Sequence, residues 1–215
     1  MTGRQRLSLF SLVLMTTITT VGFAILSRGP LRAGDADPKQ KILEGMTLPE
    51  YDARGGLIRP EGYERWTFIG TSLGIRYLET NDPPPKGPGD FHHVFIQPQA
   101  YEYYLRFGEF PEKTLFVMTN CAASKKSGPD LINKHGHFAG KATGLEVSVK
   151  DTEKFSESWA YFLFTTAGER KPSRALPQNL CYDCHAEHGQ ADNVFTQFYG
   201  MLEQARESHL KTARP

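Results

Sequence analysis

Cysteine is scarce in this chain, three among 215 residues. Cys181 and Cys184 sit close together, and Cys121 has no partner in sequence, so the disulfide framework of small secreted domains is excluded. Cys121 alone reads as a small buried residue. A second C-x-x-C pair is missing, which argues against a zinc ribbon. Charge of one sign is lacking as well. Twenty-five Lys and Arg balance 24 Asp and Glu to a net +1. No block of like charge argues for nucleic acid or an acidic partner. No internal repeat is visible. Long hydrophobic runs are missing from the body of the chain and occur only near its start. There Leu7 to Leu26 is apolar or small and uncharged, Arg4 and Arg6 precede it, and the small residues Gly34 and Ala36 follow. That order predicts a secretory signal over residues 1–36. The other reading is an uncleaved anchor, because such a run can span a bilayer, although Thr16-Thr17-Ile18-Thr19-Thr20 weakens it. Both readings place the remainder outside the cytoplasmic membrane, in the periplasm.

What is present is aromatic: 14 Phe, nine Tyr and two Trp, ample for a core and for lining a flat ligand. Residues 37–50 are polar and read as a tether, 51–205 as one domain and 206–215 as a tail. Trp66-Thr67-Phe68-Ile69-Gly70, Phe91–Ile96, Thr114–Thr119 and Trp159–Thr165 have strand composition. Gly144–Lys150 alternates, with Leu145, Val147 and Val149 on one side and Glu146, Ser148 and Lys150 on the other. Gln99–Phe107 reads as a helix opened by Pro98 and closed by Gly108. Val194–Glu207 also looks helical. Asn81–Asp90 and Ser124–Gly140 read as loops. Strands with two or three helices predict an α+β fold with a mainly antiparallel sheet.

The most specific feature is Cys181-Tyr182-Asp183-Cys184-His185. It reads C-x-x-C-H, the attachment site of a covalent c-type haem. Two sulfurs add to the two vinyl groups of one porphyrin, and the next residue supplies the axial imidazole on iron. His185 is therefore the expected metal ligand. A thioredoxin-like redox pair would sit in a βαβ pattern, which is not seen. Maturation of c-type haem occurs outside the cytoplasm, in agreement with the export signal. The sixth ligand then decides function, since a distal Met or His makes an electron carrier. Met118, Met201, His92, His93, His135, His137 and His188 are the candidates. Small electron-transfer cytochromes c are mostly helical with the motif near the N-terminus. Here it follows a strand-rich body.

The segment from Cys181 to His185 followed by Asp192-Asn193-Val194-Phe195-Thr196-Gln197-Phe198-Tyr199 resembles the cytochrome P-460 family. So do Tyr63-Glu64-Arg65-Trp66, Gly108-Glu109-Phe110 and Gly144-Leu145-Glu146-Val147-Ser148-Val149-Lys150-Asp151. The matches run in family order from about Tyr51 to Tyr199. The resemblance implies a periplasmic haem c protein, usually a homodimer, with a curved antiparallel sheet over the haem. Some members oxidise hydroxylamine and pass electrons to a redox partner, here expected to be another cytochrome. Relatives called cytochromes c′-beta bind nitric oxide or carbon monoxide at five-coordinate iron without turnover.

In catalytic members a lysine on the strand after the Gly-Glu-Phe motif is joined to the porphyrin edge. This chain has Met118 there, and methionine has no amine to form that link. Lys113, Lys125 and Lys126 are the lysines nearby in sequence. The distal carboxylate of the catalytic members falls on Glu146, which would accept protons from bound hydroxylamine. From pattern alone Glu146 reads equally as a solvated residue on a polar strand face. Met118 reads as core packing, as contact with the porphyrin edge, or as an iron ligand. Phe116 shares its face and would line the haem. Three functions are thus in play: oxidation or binding of a small nitrogen ligand, gas binding without turnover, and plain electron transfer.

Overall fold

Alternation with a period of two dominates the middle of the chain and builds the sheet. In this computed structural model, residues 37–75, 87–124, 136–165 and 170–212 are described. Five strands form one open antiparallel sheet in the order β1-β2-β3-β4-β5. They are β1 (Thr67–Leu73), β2 (Asp90–Ile96), β3 (Leu115–Ser124), β4 (Phe138–Lys150) and β5 (Trp159–Thr165). Each pairs only with its sequence neighbours, as short antiparallel connections favour. Helices α1 (Pro38–Leu43), α2 (Pro98–Phe107), α3 (Tyr182–His188) and α4 (Gly200–Thr212) complete the described architecture. The fold is α+β, as expected.

Several boundaries differ from expectation. Strand β4 begins at Phe138, inside the stretch Ser124–Gly140 that reads as loop. Its first residues pair with the end of β3, Ala139 with Ala123 and Phe138 with Ser124. A glycine-rich composition hides this extension, because pairing rather than propensity holds it. The helix expected over Val194–Glu207 divides. Thr196–Phe198 is a turn of 3-10 helix, and α4 starts only at Gly200. Within residues 37–50, Pro38–Leu43 is helical, capped by the Asp37 carboxylate accepting from the Lys39 N–H at 2.9 Å. The segments 1–36, 76–86, 125–135, 166–169 and 213–215 lie outside the described residues. So the expected export segment lies outside them, as does most of the expected Asn81–Asp90 loop. Among the described residues no helix is long and apolar enough to cross a membrane.

Both sheet faces are covered by apolar side chains. One carries Leu115, Val117, Leu145, Val147 and Phe162, packed against Leu57 and Tyr63 from the chain before β1. The other carries Val94, Ile96, Phe116, Trp159 and Tyr161, packed against α2, α4 and Val194. On this second face the register sets residues in rows. Ile96, Phe116, Ser148 and Tyr161 are successive Cα partners, and Val94, Met118, Glu146 and Leu163 form the next row. Gly70 lies opposite Val94, at a register shift in β1. A Cβ on Gly70 would lie 2.7 Å from the Tyr199 ring, so only glycine lets the segment after the haem motif press on the sheet there.

Gln97 fastens β3 to the N-terminal segment from a fully buried position. Its Nε2 donates to the carbonyls of Thr47 (2.8 Å) and Lys113 (3.0 Å), and its Oε1 accepts from Leu115 N–H at 2.6 Å. Gln97→Leu strands the buried Leu115 N–H and removes the donor of two part-buried carbonyls, and is expected to cost on the order of 2–3 kcal/mol. Urea unfolding checks this, as a fall in midpoint at unchanged slope.

Candidate functional site

The haem motif spans the start of α3. Cys181 occupies its N-cap, Cys184 and His185 lie within it, and His185 N–H bonds back to the Cys181 carbonyl at 3.1 Å. One helical turn therefore carries both thiols and the imidazole, as the C-x-x-C-H spacing requires. Cys181 is partly buried against the cluster of Phe116, Trp159 and Tyr161, whereas Cys184 is exposed. Burial pushes the Cys181 thiol above its ordinary pKa, with the negative charge of Glu146 and then Cys184 adding to it. Glu146 and the motif thus share one side of the sheet.

His185 is fixed from three directions. Its ring lies 4.6 Å from the Tyr161 ring and 4.4 Å from Phe195, centroid to centroid. Its Nδ1 lies 2.8 Å from the Asn193 carbonyl oxygen. A carbonyl only accepts, so Nδ1 carries the proton and Nε2 keeps its lone pair. Burial lowers the His185 pKa, against the opposing Asn193 bond, which favours the neutral ring that binds iron. The Tyr161 hydroxyl is buried and, among the described residues, has no hydrogen-bond partner. Burial raises the Tyr161 pKa, with the neighbouring Cys181 next in effect, so it stays a neutral phenol. Two thiols, a neutral imidazole with one free nitrogen and an aromatic floor fit a haem.

The other expected residues fall on the same face. Phe116 is buried, 5.2 Å from Phe110 and 6.0 Å from Trp159 between ring centroids. Met118 is partly buried against that cluster and is the Cα partner of Glu146. Glu146 is neither free in solvent nor deep in the core. It is half-buried, and its Oε1 accepts from Asn120 Nδ2 at 2.9 Å. Asn120, two residues beyond Met118, escaped the sequence reading, although the same period places it on that face. Among the described residues its Oδ1, also buried, has no partner.

The candidate sixth ligands scatter. His92 is buried on this face, the Cα partner of Asn120. His93 pairs with Thr119 on the opposite face, and its ring stacks on Phe91 at 5.9 Å. His188 is exposed at the end of α3, Met201 is exposed on α4, and His137 precedes β4. His135 lies outside the described residues, as do Lys125 and Lys126. The Lys113 ammonium is held by Asp151 and Glu153, with Tyr51 beside them on Asp151.

An open antiparallel sheet with the C-x-x-C-H helix against one face defines an α+β haem protein, unlike the helical electron-transfer cytochromes c. The cytochrome P460 family matches residues 60–196. That is more than half of the chain, and the protein belongs to this family. Membership makes it a c-type haem protein. No curated relative matches the chain at a significant level.

Proposed function

We propose that this is an exported haem c protein whose five-coordinate iron binds or oxidises a small nitrogen ligand, hydroxylamine or nitric oxide. Cys181 and Cys184 would hold the porphyrin by thioether bonds, and His185 would bind its iron. The observation that carries this reading is the Asn193 carbonyl on His185 Nδ1, which leaves Nε2 as the one ring nitrogen able to bind metal. Such second-shell bonds are the common mark of a ligating histidine. The haem, when bound, supplies a Lewis-acidic iron that coordinates the ligand and accepts its electrons.

The chain's own residues do the rest. Glu146, held at Oε1 by Asn120, accepts protons released as hydroxylamine loses electrons. The electrons leave to a redox partner protein, by expectation another cytochrome. Phe116, Trp159 and Tyr161 exclude water from the porphyrin's surroundings. Glu146→Gln keeps the shape and removes the base, and turnover with hydroxylamine and a chemical electron acceptor is expected to fall about 10²–10⁴-fold. Equal turnover in wild type and variant removes Glu146 from the role.

A second reading, ligand binding without turnover, is favoured by Met118. It stands opposite Glu146, where the catalytic pattern has its cross-linking lysine, and Lys113 is engaged with Asp151 and Glu153. An ordinary high-spin haem c spectrum fits both readings. A strongly red-shifted ferrous Soret band contradicts the assignment of Met118, and a low-spin spectrum with a sulfur-to-iron charge-transfer band indicates an electron carrier.

A further inference from the structure

The turn that meets His185 is anchored from the sheet. Ala191 to Val194 closes on itself, Val194 N–H donating to the Ala191 carbonyl at 2.9 Å and Ala191 N–H to the Val194 carbonyl at 3.4 Å. Its two central residues both have left-handed backbones, Asp192 at φ 51° and Asn193 at φ 58°. Consecutive positive φ values are the pattern of a type I′ turn, and Asp and Asn are the non-glycine residues that tolerate them best. This conformation aims the Asn193 carbonyl at His185 Nδ1. The turn also lies close against the end of α3. A Cβ on Gly189 would come within 2.7 Å of the Asn193 carbonyl carbon and 2.9 Å of the Val194 nitrogen.

The Asp192 carboxylate reaches the other way. Its Oδ2 accepts from Lys150 Nζ at 2.6 Å and its Oδ1 from Trp159 Nε1 at 3.1 Å. Lys150 and Trp159 are Cα partners across β4 and β5. Lys150 Nζ also donates to the Phe110 carbonyl at 2.8 Å, so the ammonium is held from two sides. We propose that Asp192 is a positioning residue for the axial ligand. Through the turn it ties the Asn193 carbonyl to the sheet, and so sets the orientation and donor strength of the His185 ring. The proposal rests on haem bound through His185. A firm Nδ1–H bond makes Nε2 the better donor, which strengthens the iron–histidine bond and favours ferric iron.

The test uses the haem-loaded protein, with Asp192→Ala, Asp192→Asn and Lys150→Gln. Asp192→Asn keeps the side-chain shape, the turn preference and an acceptor for Trp159, so the test stands on it and Lys150→Gln should the alanine variant not fold. Ferrous resonance Raman reads the iron–histidine stretch, and a redox titration reads the midpoint potential. Asp192→Ala and Lys150→Gln are both expected to shift the stretch to lower wavenumber and the potential upward, with Asp192→Asn shifting each less. Charge alone predicts opposite potentials, since loss of the carboxylate raises the potential and loss of the ammonium lowers it. Opposite potentials with an unmoved stretch overturn the proposal. Wild-type protein without an iron–histidine band overturns the assignment of His185 itself, a distinct failure.

Discussion

Replacing Cys181 and Cys184 together by serine is expected to yield a chain that gives up all of its haem on denaturation, where the wild type is expected to retain it. A thiol adds across a vinyl double bond, sulfur to one carbon and hydrogen to the other, and a serine hydroxyl lacks that reactivity. The two sulfurs share one turn of α3, the spacing at which two thiols would each meet a vinyl group of one porphyrin. Single variants are expected to keep one thioether and show the altered haemochrome spectrum of a retained vinyl group. Haem staining of a denaturing gel, with acid–acetone extraction, reads the result. Retention of haem by the double variant would place the attachment elsewhere. The two positions differ in one respect. Cys181 packs against the Phe116–Trp159–Tyr161 cluster and Cys184 does not, so Cys181→Ser also introduces a hydroxyl into an apolar contact.

Phe110→Ala has the largest expected effect on stability, a loss of about 3–5 kcal/mol. Phe110 is 2 % exposed. Its ring stacks on Tyr104 at 4.3 Å and 5°, and meets Phe116 edge-on at 5.2 Å and 76°. It thereby joins α2 to the sheet face on which the haem motif packs, and a cavity there loses contacts on several sides. Since whole domains are stable by only about 5–15 kcal/mol, the variant loses a large part of its margin. Phe198, an exposed aromatic, serves as control, with Phe198→Ala expected within about 0.5 kcal/mol of wild type. Urea unfolding of both variants decides it. Equal midpoints would show that this cluster is not what holds the domain together.

Much of the sheet was legible because alternation is local. Leu145, Val147 and Val149 face one cluster and Glu146, Ser148 and Lys150 the other side, as their spacing requires. The helix Pro98–Phe107 was readable from its two ends, proline at the first position and Gly108 left-handed at the last. What alternation could not tell is that the side bearing Glu146 is no solvent face. Phe116, Trp159 and Tyr161 come from neighbouring strands and make it a second apolar surface. The start of β4 was missed for the same reason, since its evidence is the partner strand.

The sequence by itself determined the C-x-x-C-H motif, with His185 at its end, and the family. Each is a matter of residue type at short spacing, which needs no third dimension. The tertiary structure alone decided the company these residues keep. It puts Asn120 on Glu146 across 26 residues, Asp192 on Lys150 across 42, and Lys113 on Asp151 across 38. Such pairs meet only because strand register and the docking of the C-terminal segment bring them together, and no local spacing encodes that meeting.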